Sequence, residues 1–219
     1  GIAAEYSDLG YMVLGWLVES VLGCPLDEAF TRLIAEPLGL CRTFFVRVRG
    51  GQADEPPCPI EAVAPTEVLN TRGGEIRAAV HDDNAFVLGG VAGHAGLFSI
   101  AGEVAAMLQA MIEAWRGNEG GLWQPETVRL FWDWGGAPPG STWRLGFDTP
   151  STEGSSCGTR APAGAIGHLG FTGTSFWLHP ESGTGVVLLT NRVHPSRTNE
   201  AIRAFRPALH DAIWDVVLG

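Results

Sequence analysis

The 219-residue sequence predicts an α/β chain of the α+β kind, with helices at the front, an irregular middle, and a short antiparallel sheet closed by a last helix. Three observations carry this. Apolar residues recur at helical spacing over 9–22 and 104–115. The runs 165–178 and 185–190 are rich in residues suited to strands and flank the turn sequence His-Pro-Glu-Ser-Gly-Thr-Gly. A final stripe of Leu209, Ile213, Val216 and Val217 follows, suited to packing back on that sheet.

Taken in order, Ser7 stands where it can cap a helix that passes through Leu9, Met12, Val13, Trp16, Leu17 and Leu22 to a terminal Gly23. That helix is apolar on nearly every face and is expected to be buried. Pro25, Asp27 and Glu28 open a second helix carrying Leu26, Phe30, Leu33 and Ile34, which Pro37 is expected to stop. Between Cys41 and Phe98 no period is sustained, so a long excursion with short local elements is expected. Val104, Met107, Leu108, Met111, Ile112 and Trp115 mark a strong amphipathic helix ended by Gly117, and a shorter one follows over 125–134. The strand runs should pair as an antiparallel hairpin, and the last helix should begin near Pro207. One domain over 1–219 is expected, mainly helix and loop over 1–160 and strands with a helix over 161–219.

Composition narrows the function. A chain that is 45% hydrophobic can bury a full core and is not disordered. Its formal charge of -10 opposes phosphate backbones and anionic headgroups, which argues against nucleic acid as a partner. All 14 basic residues are arginine; there is no lysine. No run approaches a membrane span, and no signal pattern opens the sequence, which begins without methionine and so leaves upstream sequence open. Cys24, Cys41, Cys58 and Cys157 form no Cys-x-x-Cys pair and read as unpaired, mostly buried thiols, from which no compartment can be assigned.

The chemistry of acyl transfer needs a nucleophile, a base and oxyanion donors. Gly154-Ser155-Ser156-Cys157-Gly158 is the one Gly-x-Ser-x-Gly match, but Ser156 has no strand-like run before it and no helix-like run after it, so it reads as a surface turn. The stretch Val80-His81-Asp82-Asp83-Asn84-Ala85 offers an imidazole and two carboxylates, with capping and turn bonds weighed against a metal site. No metal or cofactor is expected. Tyr6 sits just before a helix, where the positive dipole end favours phenolate and a general-base role, set against the commoner case of a tyrosine simply packed at a helix start. His94, among small residues, is a candidate site-lining side chain set against a structural hydrogen bond; His194, His81, His179 and His210 read as structural.

Together these segments resemble the C-terminal two-thirds of the serine β-lactamase-like family of class C β-lactamases, DD-peptidases and related esterases. "YSDLGYMVLGWLVESVLG" resembles the family's Tyr-x-Asn segment and helix, "EPLGLCRTFF" the stretch after it, and "VHDDNAFVLGGVAGHAGLFS" a branch of bacterial serine hydrolases. "GHLGFTGTSFWLHPESGTGVVLLTNRVHP" resembles the Lys-Thr-Gly strand and the two strands that follow.

The resemblance implies a β-lactamase/transpeptidase-like fold whose N-terminal strands are not in this sequence. It implies Tyr6 as the motif tyrosine, Asp8 in place of asparagine, and His168 where many members have lysine and others histidine. Leu169 takes the threonine position, Gly170 the glycine that lets substrate approach, Phe171 supplies an oxyanion N–H, and Asn191 falls where some relatives contact a carboxylate. Asp8 removes an amide donor and Leu169 a hydroxyl, so an ester or cell-wall peptide suits the site better than a penicillin-like acid.

The family's nucleophile lies in a Ser-x-x-Lys motif, and a chain without lysine has no such motif. The expectation is a fragment, inactive alone, of a hydrolase for a small-molecule or peptide substrate, with an unpaired sheet edge that promotes oligomerisation. The alternative is a natural non-catalytic relative that binds cell-wall peptide or a protein partner.

Overall fold

The structure, a computed structural model, describes residues 2–218. The elements run α1 (Asp8–Leu22), α2 (Leu26–Phe30), a π turn (Thr31–Ala35), α3 (Glu36–Leu38), β1 (Phe44–Phe45), β2 (Val48–Arg49), β3 (Gln52–Ala53), β4 (Val68–Leu69), β5 (Gly74–Glu75), α4 (Asp83–Val87) and β6 (Leu97–Phe98). They continue with α5 (Ala101–Trp115), α6 (Pro125–Trp132), β7 (Ile166–Leu169), β8 (Ser175–His179), β9 (Thr184–Leu188) and α7 (Ile202–Leu218). Two compact units divide them: one built on Val104–Arg192 and the segment from Asn199 onward, the other on Tyr6–Glu103 and Val193–Thr198.

The first unit is a three-stranded antiparallel sheet, in the order β7-β8-β9, between helices. The register pairs Ile166 with Leu178 and Gly167 with Trp177, which in turn faces Val186. Side chains alternate across a strand, so neighbouring residues serve two cores. Ile166 and Leu178 pack with Leu108 and Ile112 of α5 and Val128 and Trp132 of α6. Trp177 and Val186 pack with Cys157 and Trp214 of α7.

The expected hairpin is a three-strand meander, because the run over 165–178 breaks after Leu169. Gly173 has φ +109°, a conformation that favours glycine, and the Gly170 N–H donates to Thr174 O at 2.7 Å. The outer edge of β9 has no strand partner among the described residues.

The last helix also departs from expectation. It begins five residues before Pro207, which lies inside it, and buries Arg206, His210 and Trp214, while Val216 and Val217 are exposed. The inward face is the one whose Trp214 packs with Trp177 and Val186 of the sheet and whose Arg206 donates to the carbonyls of Gly170 and Thr174 in the turn after β7.

The second unit holds the excursion, whose six two-residue strands form three antiparallel pairs. Phe44 stacks on Phe98 across β1 and β6, and Val80, Ala85 and Ala92 make a small core. Here α1 differs most from expectation. Only Met12 and Gly15 are buried, while Leu9, Val13, Trp16, Leu17 and Val21 are exposed. One side of α1 has a partner among the described residues, and a helix apolar all round needs cover on every side.

Ser7 occupies the N-cap with no side-chain cap bond. Pro37 does not stop its helix; Gly39, at φ 66°, does. Proline lacks a donor and crowds the carbonyl four residues back, and the π turn ahead of it loosens the ladder there. Among the described residues no single helix is long and apolar enough to cross a membrane. Of the four thiols only Cys157 is buried; Cys24 and Cys58 are half-buried and Cys41 is exposed, so the expectation of mostly buried thiols is corrected.

Candidate active site

In the unit carrying Tyr6, the tyrosine sits two residues ahead of α1, and its hydroxyl donates to Asp8 Oδ1 at 2.8 Å. The Tyr11 ring lies 5.8 Å away. Partial burial, the bond to Asp8 and the negative charges of Asp8 and Asp82 push the Tyr6 pKa well above the usual tyrosine range. Burial and a carboxylate at hydrogen-bond distance both favour the neutral phenol, opposite in direction to the pull of a helix N-terminus.

Beside this group, Asp82 Oδ1 accepts both the Ala85 N–H, capping α4, and His94 Nε2, each at 2.8 Å. Burial would raise the Asp82 pKa, but the Ala85 N–H and His94 hold it below the usual carboxylate range. The His94 side chain is 2% exposed and its Nδ1 has no hydrogen-bond partner among the described residues. Its loop reaches α1 because Gly93 and Gly15 meet: a Cβ on Gly93 would overlap the Tyr11 carbonyl oxygen.

The imidazole and the two carboxylates of the 80–85 stretch take separate partners. His81 bonds Glu67 at 2.8 Å, Asp82 caps α4, and Asp83 lies 3.6 Å from both Arg72 and Arg197. Glu67 escaped the sequence reading altogether. It is 3% exposed, takes His81, the Arg197 N–H and Arg197 Nε, and so its pKa falls to about 2 in spite of burial, which opposes the shift. A lone glutamate between Thr66 and Val68 gives no periodic signal; only the fold brings residues 130 positions apart to it.

In the unit carrying the sheet, His168 pairs with Phe176 in the β7–β8 register and points to the α5–α6 side with it. Its Nδ1 lies 2.8 Å from Leu169 O, and its ring lies 5.8 Å from that of Trp143. Trp143 also went unnoticed in the sequence. The 143–148 segment bridges to itself and then to Gly167, so it covers the outer edge of β7 as far as Gly167. At Gly170 a Cβ would overlap the Thr174 hydroxyl. Phe171 is exposed, with the Arg192 guanidinium 4.3 Å above its ring. Asn191 buries a side-chain oxygen that has no hydrogen-bond partner among the described residues.

Thus Tyr6, Asp8 and His94 gather in one unit, and His168, Gly170, Phe171 and Asn191 in the other. Ser156 lies in a bend-and-turn segment, flanked by neither strand nor helix.

Comparison with known proteins decides the family. The sequence model of the β-lactamase family matches residues 1–209. The chain belongs to the β-lactamase family. An Escherichia coli K12 relative, whose name assigns it provisionally as a D-alanyl-D-alanine carboxypeptidase, is 36% identical over 86% of this chain and 45% of its own. A Bacillus subtilis relative named N-acetylmuramyl-L-alanine amidase is 34% identical over 89% of this chain and 45% of its own. The chain therefore spans about half the length of the curated relatives it matches. Among solved structures, a β-lactamase from Mycobacterium bovis matches 98% of this chain and 65% of its own at 17% identity with a TM-score of 0.63. The fold is thus the β-lactamase/transpeptidase-like fold, as the resemblance implied.

Proposed function

We propose that this β-lactamase-family chain carries the tyrosine and strand-edge parts of a serine hydrolase that works through an acyl-enzyme on an ester, amide or cell-wall peptide. The supporting observation is the built terminus of β7. His168 lies beside Trp143 one residue before Leu169 ends the paired strand, and Gly170 and Phe171 follow in a hydrogen-bonded turn whose backbone can face an acyl carbonyl.

In this reading the unit that carries α1 contributes Tyr6, to handle a proton, with Asp8 and His94 toward substrate, and the unit that carries the sheet contributes His168, to handle a proton, the Phe171 oxyanion N–H, Gly170 to keep the approach open, and Asn191. The nucleophile, in a Ser-x-x-Lys motif, lies outside these 219 residues, since they contain no lysine. The relatives' names support a cell-wall substrate class. This chain alone is inactive.

A fluorophosphonate probe tests the reading. The 219-residue chain should take up no stoichiometric adduct, while the full-length gene product should be labelled on one serine. A stoichiometric adduct on Ser156, or on any other residue of this chain, would overturn it.

One observation favours a second reading, a non-catalytic relative that binds cell-wall peptide or a protein. The Tyr6 proton is held toward Asp8 and its pKa is raised, which opposes its use as a base. Under that reading the full-length product also stays unlabelled.

A further inference from the structure

The turn over 170–174 holds each of its backbone carbonyls against a donor. Gly170 O and Thr174 O accept from Arg206 Nη2 at 3.2 and 3.0 Å. Phe171 O accepts from Arg192 Nε at 2.8 Å, and Thr172 O from the Arg192 backbone N–H at 2.9 Å. Gly173 O accepts from the Thr190 hydroxyl at 2.7 Å. Two amides of the turn add internal bonds, Gly170 N–H to Thr174 O at 2.7 Å and Gly173 N–H to Gly170 O at 3.1 Å.

Arg206 is an unusual donor for this task. It is 8% exposed, and among the described residues it makes no ion pair and its Nε has no hydrogen-bond partner. Burial, with the neighbouring positive charge of Arg192, lowers its pKa. An arginine nevertheless keeps its charge in a protein, and a buried cation without a counter-ion is destabilising. Two backbone carbonyls are modest compensation. A neutral donor would have satisfied them at lower desolvation cost.

We propose that Arg206 and Arg192 are positioning residues for the Phe171 N–H, locking the carbonyl side of the turn and placing positive charge behind the point where an oxyanion would develop. The inference rests on the hydrolase reading, in which Phe171 supplies that N–H. Donors fixed on the carbonyl side polarise the peptide units they touch and remove the reorganisation that a mobile turn would undergo at the moment of reaction. Thr190 and the Arg192 backbone serve the same turn from the strand side, so the guanidiniums complete the enclosure.

The test uses the full-length gene product with Arg206→Gln, Arg206→Lys and Arg192→Gln, and p-nitrophenyl acetate as substrate. Arg206→Gln is expected to lower kcat about 30-fold with KM within about twofold, the size of a weakened oxyanion donor. Arg206→Lys, which keeps the charge, should recover to within about fivefold of wild type, and Arg192→Gln should lose about tenfold. Amide exchange at Gly170, Gly173 and Arg192 should accelerate at least about tenfold in Arg206→Gln, with β8–β9 amides unchanged.

Unchanged kcat in both glutamine variants, equal losses in Arg206→Lys and Arg206→Gln, or unchanged exchange would each overturn the proposal. Should Arg206→Gln fail to fold, Arg192→Gln carries both readouts. A wild type that forms no acyl-enzyme removes the hydrolase reading, and the exchange measurement then decides the brace separately.

Discussion

Replacing Glu67 by glutamine should change how stability depends on pH more than any other single substitution in the Tyr6-bearing unit. The carboxylate is 3% exposed and bonds His81 Nε2, the Arg197 N–H and Arg197 Nε at 2.7–2.8 Å. Its pKa falls from 4.5 to about 2 on folding. A shift of that size corresponds to about 3 kcal/mol, and since Arg197 is 40% exposed, solvent screening reduces it to about 2 kcal/mol.

The folded-state value lies below the unfolded one. The stabilisation is therefore complete above about pH 4.5 and is lost as the pH falls through about 2. Urea unfolding of wild type and Glu67→Gln at pH 7, 5, 3.5 and 2.5 should show the variant about 2 kcal/mol less stable at pH 7 and 5, with the gap closing below that. A gap that stays constant across this range would refute the assignment of the shift to Glu67. No gap at pH 7 would refute the network itself.

Further predictions follow from single contacts. Gly93→Ala drives a methyl into the Tyr11 carbonyl, so it should destabilise the protein by about 1–3 kcal/mol in thermal melts; an unchanged Tm would show that α1 is not seated on that loop. Asp8→Asn removes the acceptor charge beside Tyr6, so ultraviolet titration on a Tyr11→Phe background should show the remaining tyrosine ionising at lower pH than with Asp8 present, and an unshifted titration would refute the carboxylate as the cause. The unpartnered outer edge of β9 and the exposed apolar side of α1 should make the 219-residue chain self-associate in light scattering, and a monodisperse monomer at high concentration would refute this.

How much could be read from the sequence depended on how local each signal was. The α5 period was legible because its stripe packs on one continuous core, and Leu108 and Ile112 lie in that core as expected. The break between β7 and β8 was hidden, since glycine and threonine occur both in strands and in the turn that Gly173 makes. The candidate residues of β7 were found through resemblance. Arg206, Glu67 and Trp143 were not found, because an arginine inside a helix, a glutamate in a loop and a tryptophan in a connection read the same whether buried or exposed.

The sequence by itself determined the family and the order of the longer helices, α1, α5, α6 and α7, around the strand-forming runs of the sheet. These depend on periodicity and on short contiguous motifs. Only the tertiary structure decided that the Tyr6 proton goes to Asp8, that Glu67 gathers His81 and Arg197 from distant positions, and that α7 turns Arg206 rather than Val216 inward. Burial and the pairing of charges are set by which surfaces meet, and that is a property of the folded chain, which no local pattern records.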